Sequence, residues 1–245
     1  MRDPLVFNRI VVIGGGCYGS WYARQLARAV ARDALQVREI VVVDRDPRCR
    51  VARHVDDGDF GAAPVRVEVA TWRDYVAAWL GAGVPALSAD AMVPSPLMPH
   101  LCLDWLTDRA RARWPDRTVE VVPLSASPAM PWERAAPDGR HYVSFATWMC
   151  PVNCIEPAMC PATGGIRDWS MPPALRDYVA GQREALDASL IFHCVHRTYG
   201  AGMIDAHQIA DADAWMASRT GEASTRVLVG TVSHCHGALG VLAVT

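Results

Sequence analysis

Two short runs of consecutive apolar, mostly β-branched residues stand out along the chain: Arg9-Ile-Val-Val-Ile13 and Glu39-Ile-Val-Val-Val43. Unbroken runs, rather than alternation, mark strands buried on both faces of a parallel sheet. Between them, Ser20 to Ala31 reads as a helix, with Trp21, Leu26, Ala27 and Val30 able to face the sheet. The alternation continues downstream. Pro64 to Ala70 predicts a third strand, Thr71 caps a helix to Leu80, and Ala89 to Val93 predicts a fourth strand. Pro94, Pro96 and Pro99 then break the chain before a helix over Leu101 to Arg113 and a fifth strand over Thr118 to Val122. The pattern is that of an α/β protein with a doubly wound, mostly parallel sheet.

From Pro123 to Gly139 the chain is rich in proline and small residues, which marks a boundary. The expected domains are therefore 1–124 and 125–245. The second half carries strand patterns at His141 to Trp148, Ser189 to His196 and Thr225 to Ser233. Helical stretches follow Pro172, as far as Leu186, and Asp205, as far as Ser218.

Directly after the first strand comes Gly14-Gly-Gly16-Cys17-Tyr18-Gly19, and Asp44 closes the second. Strand, G-x-G-x-x-G, helix, strand and acid in this order form the dinucleotide fingerprint. Gly14 permits the tight turn, Gly16 the approach of a pyrophosphate, and Gly19 the close packing of helix on strand. Free N–H groups at the helix start suit phosphate oxygens, and Asp44 suits an adenosine ribose. Residues 9 to about 122 resemble the NAD(P)-binding Rossmann superfamily. That resemblance implies a Rossmann-like fold and nicotinamide cofactor binding through Gly14, Gly16, Gly19 and Asp44. Asp44 favours NAD, because a carboxylate repels a 2′-phosphate, while Arg45 and Arg48 could receive one and keep NADP open. Cys17 inside the loop departs from the usual small or apolar residue.

Composition narrows the chemistry. All 24 basic residues are arginines, so a lysine Schiff base, a lysine base and a Walker-type lysine are impossible. The formal charge of −2 gives no reason to expect nucleic acid or an anionic membrane as partner. The apolar start reads as a buried strand rather than a signal peptide, which predicts a cytoplasmic protein with reduced thiols.

Three of the eight cysteines fall within Cys150-Pro-Val-Asn-Cys154-Ile-Glu-Pro-Ala-Met-Cys160-Pro. Soft thiolates select zinc, copper(I) or iron–sulfur clusters. The spacing is long for a zinc knuckle, and prolines beside cysteines suit a loop around a cubane. A [4Fe–4S] cluster needs a fourth ligand: Cys235 is the first choice and Cys194 the second, both at strand ends. If those strands run parallel to the first, cluster and glycine loop share one sheet edge. Zinc and unmetallated thiols are the alternatives. Cys49 and Cys102 read as small apolar fillers. His100 reads as a solvated or capping loop residue, His193, His196, His234 and His236 as core residues or neighbours of the metal ligands, and Glu156 as a cap of loop amides or a proton donor.

The expectation is an NAD(H)-binding iron–sulfur oxidoreductase with cofactor and cluster at the carboxyl edge of the sheet. Its partner is a small-molecule substrate or a redox partner protein, and a homo-oligomer is compatible with it. A non-catalytic redox or nucleotide sensor, or a dehydrogenase with structural zinc, would share these features.

Overall fold

The computed structural model describes residues 3–151, 154–182 and 185–245. The chain begins β1 (Leu5–Ile13), α1 (Cys17–Ala31), β2 (Leu35–Asp44), α2 (Arg50–Asp56), β3 (Val65–Val69) and α3 (Trp72–Leu80). It continues α4 (Val84–Leu87), β4 (Asp90–Val93), α5 (Leu101–Arg113), β5 (Val119–Val122), β6 (Trp132–Ala135) and β7 (His141–Ser144). It ends α6 (Met171–Gly181), β8 (Ala188–His193), β9 (Val195–Thr198), β10 (Ala201–Asp205), α7 (Ala206–Ala217), β11 (Thr225–Val232) and β12 (His236–Val244). Arg183 and Glu184, in the last turn of the helix expected to reach Leu186, lie outside the described residues, as do Val152 and Asn153 of the cysteine segment.

The protein is a mixed α/β structure with two sheets in two compact units. The first unit comprises residues up to Met98 together with Cys194–Ala210. Its sheet has the order β3-β2-β1-β4-β10-β9. The first four strands are parallel, whereas β10 runs antiparallel to β4 and β9 antiparallel to β10. Ile10 to Ile13 and Ile40 to Val43 are buried, as continuous apolar runs require. Helix α1 covers them with Gly19, Ala23, Leu26 and Ala27, while Trp21 is only partly buried and stacks edge-on against Tyr22. Thr71 caps α3 as its sequence predicts, its side chain accepting from the Asp74 amide.

The second unit comprises Pro99–His193 and Asp211–Thr245. Its sheet has the order β6-β7-β12-β11-β8, with β5 also paired to β12. Strand β12 is its axis, forming a long hairpin with β11 and antiparallel ladders with β7 and β5. Gly240 faces Leu103 of α5, and Gly237 faces Met171 of α6. Residues of opposite parity on one strand point to opposite faces, so the two helices cover opposite sides of this sheet.

Two expectations are corrected. The single, mostly parallel sheet is replaced by two sheets in which six of the ten strand pairings are antiparallel. Helix α5 and strand β5, assigned by sequence to a first domain ending at residue 124, belong to the second unit. The physical reason is that β5 forms its ladder with β12, at the far end of the chain. Among the described residues no helix is long and apolar enough to cross a membrane.

Candidate functional site

In the first unit the strand order reverses between β1 and β4: the chain leaves β1 toward β2 and β3, then returns to β4 on the other side. Ligands of open α/β sheets bind outside the carboxyl ends of strands at such a switch point. The loop leaving β1 there is Gly14 to Gly16. Gly14 has φ 86, a left-handed conformation that glycine adopts without steric cost, and its N–H donates to Val43 O at 2.9 Å. A Cβ on Gly19 would lie 1.7 Å from the Gly14 carbonyl oxygen, so only glycine permits this contact between helix and loop. Gly16, at the start of α1, would meet nothing within 4 Å, and the side of the loop it presents is open.

Asp44 lies at the end of β2, where its Oδ2 accepts from the Gly15 N–H at 2.6 Å and its Oδ1 from the Asp46 N–H at 2.9 Å. The four residues singled out in sequence are thus neighbours. Gly15 and Cys49 were missed as parts of this loop. A Cβ on Gly15 would sit 2.4 Å from the Cys49 sulfur, so buried Cys49 shapes the loop from behind. Cys17 is exposed in the first turn of α1. Arg45 and Arg48 are exposed just beyond Asp44.

The cysteine segment lies in the second unit. Cys160 is buried, and Cys150 and Cys154 are partly so. Burial raises the Cys150 pKa, and the like charges of Cys154, Cys160 and Glu156 raise it further, so these groups feel one another. Cys160 is shifted the other way, first by hydrogen bonding from the Thr163 hydroxyl and then by the Thr163 amide. The Trp148 indole lies beside both Cys150 and Cys160. Hydrogen bonding from its N–H lowers the pKa of each.

Cys235 is not at the end of a continuing strand. Residues 233–235 form the turn between β11 and β12, so strand alternation does not set the directions of His234 and Cys235. Glu156 ties the cysteine segment to this turn. Its carboxylate accepts from Ser233 Oγ at 2.6 Å, His234 N–H at 2.8 Å and Cys235 N–H at 2.9 Å. Glu156, expected to cap the amides of its own loop, caps those of the distant turn instead. The Cys235 thiol accepts from the Trp169 indole N–H at 3.3 Å, and burial, more than the nearby Glu156 charge, pushes its pKa up to about 12. Trp169 in turn packs edge-on against Trp148 and tilted against Phe145.

The AF_1314_C family, described as "Uncharacterized protein, C-terminal domain", matches residues 102–245, more than half of the chain. The chain belongs to that family. No curated protein and no solved structure matches it. The region that the AF_1314_C family covers contains the whole cysteine segment, Cys194 and Cys235.

Cys194, between β8 and β9, falls in the first unit, where its sulfur would lie 2.6 Å from a Cβ on Gly202 and where Tyr22 feels its charge. Among the described residues no three His, Cys, Asp or Glu side chains form a ready metal-binding group. The histidines separate as well. The His193 and His234 rings meet edge-on at 4.6 Å, His234 Nδ1 is 2.9 Å from Ser170 Oγ, and His236 Nδ1 is 3.0 Å from Ser144 Oγ. His196 lies near Gly202. His100 is buried at the start of α5 with both ring nitrogens lacking hydrogen-bond partners among the described residues. Cys102 is fully buried on α5, which pushes its pKa up to about 12, as befits a filler.

Proposed function

We propose that the chain is an NAD(H)-binding oxidoreductase, with a Rossmann-like nucleotide unit and a second unit that holds a cysteine-ligated metal centre. The observation that carries the nucleotide reading is the loop after β1. It combines a left-handed Gly14, a Gly19 in contact with the loop carbonyl, an open Gly16 and an acid at the end of β2. A pyrophosphate would lie at Gly16 and the start of α1, where backbone N–H groups and the helix dipole favour anions. Asp44 keeps a second lone pair on each oxygen for the ribose hydroxyls, because its bonds to Gly15 and Asp46 use only one apiece. The exposed Arg45 and Arg48 keep NADP open.

The residues that would hold a metal are Cys150, Cys154, Cys160 and Cys235, with an iron–sulfur cluster as the group and zinc as the alternative. The fit rests on donor chemistry. Three thiols share one segment, the charges of Cys154 and Cys160 act on Cys150, and the Trp148 indole reaches both Cys150 and Cys160. A cluster would supply one-electron transfer. The chain's own contribution would be two indole N–H groups, from Trp148 and Trp169, aimed at sulfur. Glu156 would hold the Cys235 turn against the segment. The nicotinamide would exchange hydride with a small-molecule substrate or pass electrons toward a redox partner protein.

Replacing Gly16 by Trp should abolish NAD(H) binding in calorimetry and leave metal content intact; surviving affinity refutes the nucleotide reading. Material purified without oxygen should absorb broadly near roughly 400 nm, and Cys154→Ala should remove that band. A colourless protein with stoichiometric zinc would replace the cluster by the structural metal.

A further inference from the structure

A cavity whose lining holds no cysteine and no residue of the glycine loop opens on the second sheet. Its volume is about 300 Å³, at the lower end of small-molecule sites. Its lining follows from strand register. Trp132, Ser144 and His236 are directly opposite one another across β6, β7 and β12, and Arg134 and Tyr142 are opposite one another two residues further along. Residues two apart share a face, so all five line one surface. Trp132 and Tyr142 supply two aromatic walls, and the edge of the His100 ring braces Tyr142 at 5.1 Å.

The polar groups are selective. Ser144 is not a free nucleophile: its hydroxyl donates to Ala146 O at 2.8 Å and accepts from Ala146 N–H at 2.9 Å. With that proton committed, His236 Nδ1 is the donor to Ser144 Oγ at 3.0 Å. Arg134 is exposed and makes no ion pair among the described residues. The lining contains no carboxylate. Aromatic walls and one guanidinium without an ion-pair partner among the described residues describe the complement of a flat acid.

We infer that this cavity is a binding site for a planar aromatic carboxylate, its ring held against Trp132 and Tyr142 and its carboxylate paired with Arg134. Guanidinium and carboxylate form charge-assisted, often bidentate hydrogen bonds, and a ring of one or two cycles suits the volume.

The test is calorimetry on the full chain with 4-hydroxybenzoate, 4-hydroxybenzyl alcohol and acetate. The aromatic acid should bind with Kd on the order of 0.1 mM, the alcohol about tenfold more weakly, and acetate not measurably. Arg134→Ala and Trp132→Leu, both at exposed positions, should each weaken the acid about tenfold with unchanged melting temperature. NAD⁺ should not displace the acid. The inference is overturned if the acid gives no signal at about 10 mM, if both variants bind it like the parent, if the alcohol binds as well, or if NAD⁺ competes. None of these readings depends on the metal or on nucleotide turnover.

Discussion

Replacing Glu156 by glutamine tests whether the cysteine segment is fastened to the β11–β12 turn as described. The carboxylate is nine-tenths buried and accepts three hydrogen bonds, two on Oε1 and one on Oε2. Its backbone sits at φ 51, a left-handed conformation that costs a non-glycine residue on the order of 1 kcal/mol. A glutamine oxygen can replace Oε1 and keep Ser233 Oγ and Cys235 N–H. The glutamine NH₂ then faces the His234 N–H, donor against donor. A charge-assisted bond is worth about 1.5–3 kcal/mol, and the two retained bonds become neutral and weaker. The expected loss is therefore about 2–3 kcal/mol, or roughly 5–10 °C in melting temperature for a chain of this size. Glu156→Ala, which strands all three donors, should lose more than Glu156→Gln. Thermal unfolding and urea titration read the stability, and the rate of Cys235 modification by a disulfide reagent reads the local opening. A Glu156→Gln protein within about 0.5 kcal/mol of the parent, with Cys235 no more reactive, would refute the fastening.

Other outcomes follow from single contacts. Burial first, and then the charge of Arg140, lower the His100 pKa from 6.5 to about 4. The folded state thus resists protonation, and its stability is full above about pH 6.5 and falls as pH drops toward 4. The loss should be on the order of 1–2 kcal/mol after solvent screening, and His100→Leu should flatten that part of the profile relative to the parent. Gly19→Ala, whose Cβ would collide with the Gly14 carbonyl, should destabilise the first unit by about 3 kcal/mol or more. Gly16→Ala should leave the melting temperature unchanged, and equal melting temperatures for the two would refute the contact. Gly202→Ala should cost about 1–3 kcal/mol through overlap with the Cys194 sulfur. Cys194→Ala should recover part of that loss, and strict additivity in the double variant would exclude the clash.

What was legible in the sequence is what local chemistry decides. The runs at Ile10 to Ile13 and Ile40 to Val43, the Gly14–Gly19 spacing, the Thr71 cap and the α5 limits all follow from neighbours a few residues apart. Strand β12 was not recognised, although Ala238 to Val244 is a long apolar run, and it is the axis of the second sheet. Its partners lie near residues 120, 142 and 228, and no periodicity records which of them it will join. Ser189 to His196 reads as one strand, yet the chain changes sheets at Cys194. Side-chain alternation continues through such a change and conceals it. Trp148 and Trp169 carried a signal that went unused: two indole donors flank a run of three thiols in sequence.

The same change of sheets bears on what the AF_1314_C region is as a physical object. The matched residues, 102–245, include β9 and β10, and these belong to the first unit's sheet. Strand β10 takes its ladder from β4, which precedes the matched region. A chain started at residue 102 would carry β9 and β10 as a two-stranded ribbon with an unpaired edge, and such ribbons are marginal in water and prone to pair with other chains. The second unit would also be built around a loop, 194–210, whose own sheet is missing. The region should therefore express as an aggregating fragment, whereas adding residues 3–98 on a separate chain should restore solubility by supplying β4. Solubility of the fragment alone, with β9 and β10 protected from hydrogen exchange, would show that the matched region folds without the first unit.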